Sequence, residues 1–328
     1  MPADGSTAPP VPGRAVIPFA ALTPGACDVV AETAEAAMEV FAAWHIPLPK
    51  QERLRQAIGL LRKVAAAGSW GASQADLAQV AAALSVGGDF ILIAQCLRGD
   101  PVVAISEEIH TALGSGLAAV SRVGGYDVQS QYWFGMLLAR AGLRPRVPRA
   151  GERRPDFIVA ADTIDFGIEH KRPQSARSAP DALDTAAGQL RDYGAKHRTP
   201  GVIVMNLSDA LGVQHLAGTP LRTPSVERQL VSKLFQAQAD SLDRRAQTYR
   251  RSNKYDRIVG LICYARALLW VEQPVGLVPI FTAWVVTYIM ERGCYGLVQD
   301  SVRRLFRSLK STIEEFGDGP VRQLPKRG

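Results

Sequence analysis

Apolar positions between residues 28 and 119 recur at three- and four-residue steps, and this spacing predicts helices over 31–44, 51–67, 73–84 and 89–97. Ser73 with Asp76 opens the third in the manner of a capped helix. The pair 73–84 and 89–97 could be drawn as a helix-turn-helix, but the acidic balance of the region favours plain helical packing. Gly114, Gly116, Gly124 and Gly125 mark a boundary, and the texture changes after it. The segment 128–141 reads as an amphipathic helix closed by Gly142. Segments 157–161 and 164–170 predict strands, 181–197 a helix, 202–207 a short buried strand and 225–251 a long polar helix. One or two further strands are expected over 258–270. The expected fold class is α/β, with a mixed central sheet flanked by helices over 123–328 and a C-terminal helical or strand extension. An all-helical domain of unknown role over 28–122 precedes it, after a Pro-, Gly- and Ala-rich tail over 1–27.

One segment resembles a membrane span by length alone. Residues 273–290 are 18 positions without a charge, but they contain Pro274, Pro279, Thr282 and Thr287. A buried strand–helix segment is the better expectation, and no membrane partner is expected.

With 328 residues, 47% hydrophobic and 21% charged, the chain has an ordinary globular composition. Cys27, Cys96, Cys263 and Cys294 are scattered, with no CxxC pair and no zinc spacing, which suits a reducing cytosol. The apolar stretch 15–22 is short and broken by Pro18, so no export is expected and the localisation reads as cytoplasmic. Net charge is +7, and it is unevenly placed. Residues 1–120 hold 7 Lys/Arg against 11 Asp/Glu, leaving 31 against 20 over 121–328. A basic later region suggests a polyanionic partner; a merely soluble basic surface is the alternative. No GxxxxGK loop and no GxSxG elbow occurs, which disfavours an ATPase or a serine hydrolase.

The chemistry concentrates in Arg153-Arg154-Pro155-Asp156-Phe157 and Ile168-Glu169-His170-Lys171. If the chain turns at Asp162-Thr163 with Ala161 opposite Ile164, then Phe157 faces Ile168 and Asp156 falls opposite Glu169. Phe157, Val159, Ala161, Ile164, Phe166 and Ile168 then share a core face, while Asp156, Glu169 and Lys171 share the other. Carboxylates directly across a strand pair have Cβ atoms about 4.5–5.5 Å apart and repel each other. Such a pair persists when a cation lies between the two or one is protonated, and few oxygen ligands suit Mg²⁺. Lys171 on the same face would help neutralise charge on a phosphodiester.

These residues resemble the PD-(D/E)XK nuclease superfamily, of restriction-endonuclease-like fold, whose signature here is Pro155-Asp156 with Glu169-His170-Lys171. The resemblance covers roughly residues 128–207 and implies a Mg²⁺-dependent nuclease, with Mn²⁺ as an alternative ion, acting on phosphodiester bonds of DNA. It implies metal ligation by Asp156, Glu169 and the backbone carbonyl of His170, with Lys171 assisting the attacking water. Gln189-Leu190-Arg191-Asp192-Tyr193 looks like the QxxxY motif of the RecB-type branch, and Gln189 and Tyr193 stand one helical turn apart. Many members carry a glutamate on the first helix; here eleven positions before Gly142 stands Gln131, and Asp127, Glu107 or Glu108 could substitute. By analogy with the family, a restriction, repair or anti-phage defence effector is expected.

Other readings stay open at this stage. Asp156 and Glu169 could be surface ion-pair partners of Arg154 and Lys171, and Gln189 and Tyr193 plain helix-surface residues. His170 alternates away from Glu169 and reads as a packed side chain. His45, His110, His197 and His215 make no ligand spacing with one another. Arg154, Arg172, Lys196 and Arg198 flank the site and are expected to contact phosphates, as are the clusters 244–254 and 303–310. The rival function is a catalytically inactive nucleic-acid-binding or assembly protein on the same fold. A protein partner or homo-oligomer would use the N-terminal helices.

Overall fold

Three helices open the chain: α1 (Cys27–Ala43), α2 (Arg53–Ala67) and α3 (Gln74–Leu97). The computed structural model describes residues 22–46, 52–71, 74–97, 125–148, 154–213, 218–221, 224–249, 256–274, 276–290 and 296–317. A single helix, α3, replaces the two expected over 73–84 and 89–97, and with it the helix-turn-helix drawing falls away. Gly87-Gly88 reads as a break, but Gly87 lies toward Leu61 of α2 and Val30 of α1. Val80, Leu84, Phe90 and Ile93 are buried on both sides of it, and that burial outweighs a propensity cost of about 1 kcal/mol per glycine. Ser73, the expected cap, lies outside the described residues. Among the described residues α3 alone is long and apolar enough to cross a membrane, over Asp76–Ala94, but its apolar side chains pack against α1 and α2.

The remaining helices are α4 (Gly125–Arg140), α5 (Ala179–His197), α6 (Pro224–Tyr249) and α7 (Leu297–Gly317). The strands are β1 (Pro145–Arg146), β2 (Phe157–Ala161), β3 (Ile164–Lys171), β4 (Gly201–Asn206), β5 (Pro220–Leu221), β6 (Ile258–Gln273) and β7 (Gly276–Ile289). They form one mixed sheet. β2 pairs antiparallel with both β1 and β3, and β4 pairs parallel with both β3 and β6. β5 follows β4 along one edge of β6, and β7 takes the other edge, antiparallel, over its whole length.

The β2–β3 hairpin has the expected register, from Ala161↔Ile164 to Phe157↔Ile168. Asp162 makes the turn at φ 56 and is fixed there by Ser301 Oγ, 2.8 Å from its carboxylate, and by Arg304. Residues 273–290 do not form the expected strand–helix segment, nor a span. Gly276–Ile289 form the edge strand β7, whose valines and aromatics suit a sheet and whose Pro279 an edge strand tolerates.

The helices cover both faces of the sheet. α4 and α7 pack on Phe157, Val159, Phe166 and Ile168, and α5 and α6 on Ile203, Met205 and Leu261. Gly135 lets α4 sit close, since a Cβ there would lie 2.8 Å from the Phe157 ring. Gly142, at φ 79, ends α4 as expected, with Leu143 N–H bonded to Leu138 O at 3.0 Å.

The N-terminal helices pack against α4 and β6. Their hydrophobic cluster includes Tyr132 of α4 with Leu268, Trp270 and Phe281 of β6 and β7. Trp270 donates its indole N–H to Leu77 O at 3.1 Å, and Trp70 donates to Leu277 O at 2.9 Å. The two faces of the sheet keep hydrophobic clusters of their own.

Candidate functional site

Asp156 ends the loop that enters β2, one residue before the ladder begins, so it stands beside Glu169 of β3. Both its oxygens are held. The His170 backbone N–H donates to Oδ2 at 2.7 Å, and the Gln131 side-chain amide donates to Oδ1 at 3.0 Å. Gln131, singled out by its distance from Gly142, thus faces the site from α4, seated there by the close approach at Gly135.

Glu169 is completely buried, and Lys171 donates to its Oε1 at 2.5 Å. Its Oε2 has no hydrogen-bond partner. Burial first, and the neighbouring Asp156 carboxylate second, push the Glu169 carboxyl up to about 8, against the pull of Lys171. An unfolded chain releases this proton near 4.5 and the folded chain near 8, so between those values folding takes up a proton. Stability through this group is therefore lost as pH rises across that window. Glu169→Gln, which cannot ionise, is expected to melt above the wild type by a margin that widens from pH 5 to pH 8. Thermal melts at several pH values check this; a margin that stays constant or narrows would contradict the buried-charge reading.

His170 points to the opposite face and is buried, as its alternation predicted. Its Nε2 lies 2.9 Å from the Tyr264 hydroxyl and 3.5 Å from Ser130 Oγ, with the Phe134 ring alongside. Burial, then the charges of Lys171, Arg172 and Arg266, lower its pKa to about 3, so the ring is neutral at physiological pH and serves as packing. Ser130 Oγ also accepts from Asn206 at 2.6 Å, and Asn206 accepts from Ser208 Oγ at 2.6 Å. Sequence reasoning missed this polar group behind the site. Its one local signal is Asn206, a polar residue closing an apolar strand.

α5 covers the face that carries Gly167, Glu169 and Lys171, with Leu190 seated over Gly167 and Gly201. On that helix Gln189 has a buried Oε1 without a hydrogen-bond partner. Tyr193, one turn on, stacks on His197 at 4.2 Å between ring centroids. Asp127, one turn before Gln131, has a raised pKa from burial and feels the charges of Arg172, Asp209 and Lys171, which places it at the rim. Glu107 and Glu108 lie outside the described residues.

The flanking cations divide. Lys196 and Arg198 are exposed at the end of α5. Arg154 is partly buried and donates to Pro148 O. Arg172 pairs with Asp209 through two contacts, at 2.7 and 3.0 Å, with little exposure. Within the expected basic clusters Arg245 binds Asp184, Arg304 binds Asp162 and Arg303 lies 3.8 Å from Asp300. These pairs offset part of the cationic surface expected from composition. Arg153, Arg250, Arg251 and Lys254 lie outside the described residues.

The carboxylates of Asp156 and Glu169, the latter with its Oε2 unpartnered, are hard oxygen donors of the kind that Mg²⁺ accepts, and the Lys171 ammonium lies beside them. Among the described residues no three His, Cys, Asp or Glu side chains converge, so a third ligand would have to be an amide, a backbone carbonyl or water. No protein-family model, no curated protein and no solved structure matches the chain.

Proposed function

We propose that the chain is a Mg²⁺-dependent nuclease of the PD-(D/E)XK type, with Mn²⁺ as a second competent ion, that hydrolyses phosphodiester bonds in DNA. The observation that carries the reading is Glu169: fully buried, next to a second carboxylate, with one oxygen on Lys171 and the other without a partner. A fold has no structural use for such a group, whose burial costs stability. Asp156, Glu169 and the carbonyl of His170 would hold the ion, and a bound ion would lower the cost of making hydroxide and neutralise charge at phosphorus. Lys171 keeps an ammonium against Glu169 where it can face a phosphate. Gln189, with Tyr193 one turn on, is suited to orienting water or phosphate. Lys196 and Arg198 offer phosphate contacts that read no sequence. Purified protein should degrade plasmid DNA with Mg²⁺ and stop with EDTA. Intact plasmid under both conditions would reject the activity. A restriction, repair or anti-phage role in the cytoplasm fits this chemistry and rests on family analogy alone.

One observation favours the second reading, a catalytically inactive nucleic-acid-binding protein. Gln131 brings an amide to Asp156 where an acid would strengthen a metal site. Gln131→Glu separates the two. Replacing the amide sets a third carboxylate against Asp156, so the variant should melt below wild type without Mg²⁺ and gain more from it. The Mg²⁺ concentration for half-maximal cleavage should fall. A melting temperature equally insensitive to Mg²⁺ in both proteins would favour the inactive binder.

A further inference from the structure

We infer that Asp89, on α3, is a positioning residue for Asp156, so that the helical layer sets the pose of the site's first acid. The inference rests on the reading of Asp156 as part of a working site. Asp89 is nearly fully buried, although it lies in a helix otherwise packed by apolar side chains. It accepts from Arg266 Nη1 and Nη2 of β6, each at 2.5 Å, and from Gln129 Nε2 of α4, also at 2.5 Å. The Arg266 guanidinium in turn lies 4.1 Å from the centroid of the Trp133 ring, again on α4. One carboxylate therefore fastens the helical layer to α4, which faces the site, and to β6, two strands from β3.

Two routes lead from this clamp to Asp156, one to each of its oxygens. Gln129 and Gln131 share one turn of α4 on different faces, so this route runs through the helix backbone, and Gln131 donates to Oδ1 at 3.0 Å. By the other route, Arg266 N–H donates to Ser208 Oγ at 3.0 Å, Ser208 to Asn206 at 2.6 Å, and Asn206 to Ser130 at 2.6 Å. Ser130 Oγ lies 3.5 Å from the His170 ring, and the His170 backbone N–H holds Oδ2 at 2.7 Å. Asp89, Gln129, Ser130, His170, Asn206 and Ser208 are buried, with Arg266, Gln131 and Asp156 partly so, and hydrogen-bonded groups in a dry interior hold one another's orientation strongly. A layer that only filled space would need no buried carboxylate at this point.

The test uses the full-length chain with Gln129→Met and Asp89→Asn. Asp89→Asn strips the counter-charge from a buried guanidinium and so also weakens the fold; Gln129→Met keeps the ion pair and removes an amide whose own oxygen has no partner. In Gln129→Met the melting temperature should stay near wild type while exchange of the His170 amide proton rises about tenfold or more, with Val159 and Phe166 amides unchanged. The same variant should lose about tenfold in kcat with KM unchanged, because a positioned group and not substrate binding has been loosened. Asp89→Asn should show the larger effect at His170. Wild-type exchange at His170 in folded Gln129→Met, or a uniform rise across the sheet, would overturn the inference. If the wild-type protein fails to cut DNA, that result counts against the nuclease reading, and the exchange data still decide the role of Asp89.

Discussion

On the proposed reading, Asp156→Ala and Glu169→Ala are each expected to reduce cleavage about a thousandfold or more, since each would remove a ligand of the ion that neutralises charge developing at phosphorus. The two acids stand side by side where the chain enters the β2–β3 hairpin. Glu169 raises the energy of the fold by being there, and Asp156 is held at both oxygens by groups that fix its direction. Binding should survive. Phosphate contacts would come from exposed cations such as Lys196 and Arg198, and such binding weakens linearly on a logarithmic salt scale without involving these carboxylates. Single-turnover cleavage and fluorescence anisotropy at two salt concentrations separate the two properties. Either alanine variant cutting at the wild-type rate would mean that the site lies elsewhere.

Asp89→Ala is expected to cost about 3–5 kcal/mol of folding stability, the usual loss when one member of a buried ion pair is removed. Arg266 is deeply placed, with 13% of its side chain exposed against 3% for Asp89, and would be left charged and unbalanced. The loss has three parts that add in the same direction: an uncompensated guanidinium, an unanswered Gln129 amide, and a gap between α3 and β6. Replacing both partners by apolar residues, Asp89→Leu with Arg266→Met, should recover most of it, because no buried charge then remains. The exposed pair Arg245–Asp184 provides the contrast: its removal should cost about 1 kcal/mol or less, in keeping with its 44% and 42% exposure. Urea denaturation of the four proteins measures all of this. A small loss for Asp89→Ala would show that Arg266 finds water or another partner.

The parts of the fold that were legible in the sequence are those with a local cause. The hairpin register follows from alternation, because one face of β2 and β3 is apolar and a one-residue slip would invert it. Gln131 could be placed only through the family resemblance, which puts a residue of the first helix eleven positions before the glycine that closes it. Gly87-Gly88 misled because burial against α1 and α2, a nonlocal term, overrides helix propensity. Residues 273–290 misled because an edge strand apolar on both faces has no period to read, and its identity comes from pairing with β6. Charge clusters are the weakest guide of all. Arg172, Arg245 and Arg304 find acids far along the chain, and only the fold brings Asp209, Asp184 and Asp162 to them. The Asp89–Arg266–Gln129 clamp joins residues up to 177 positions apart and left no trace in any window of sequence.

The central claim, that Glu169 and Asp156 form a divalent-ion site, is tested most directly by calorimetric titration of Mg²⁺ at pH 7 in buffers of different ionisation enthalpy. Glu169 holds its proton up to about 8, so an ion bound there must displace it. The account predicts saturable binding of Mg²⁺ with release of about one proton per ion in the wild type, and loss of both the binding and the proton release in Glu169→Gln. Identical heats from the two proteins, or no binding to the wild type at all, would contradict it.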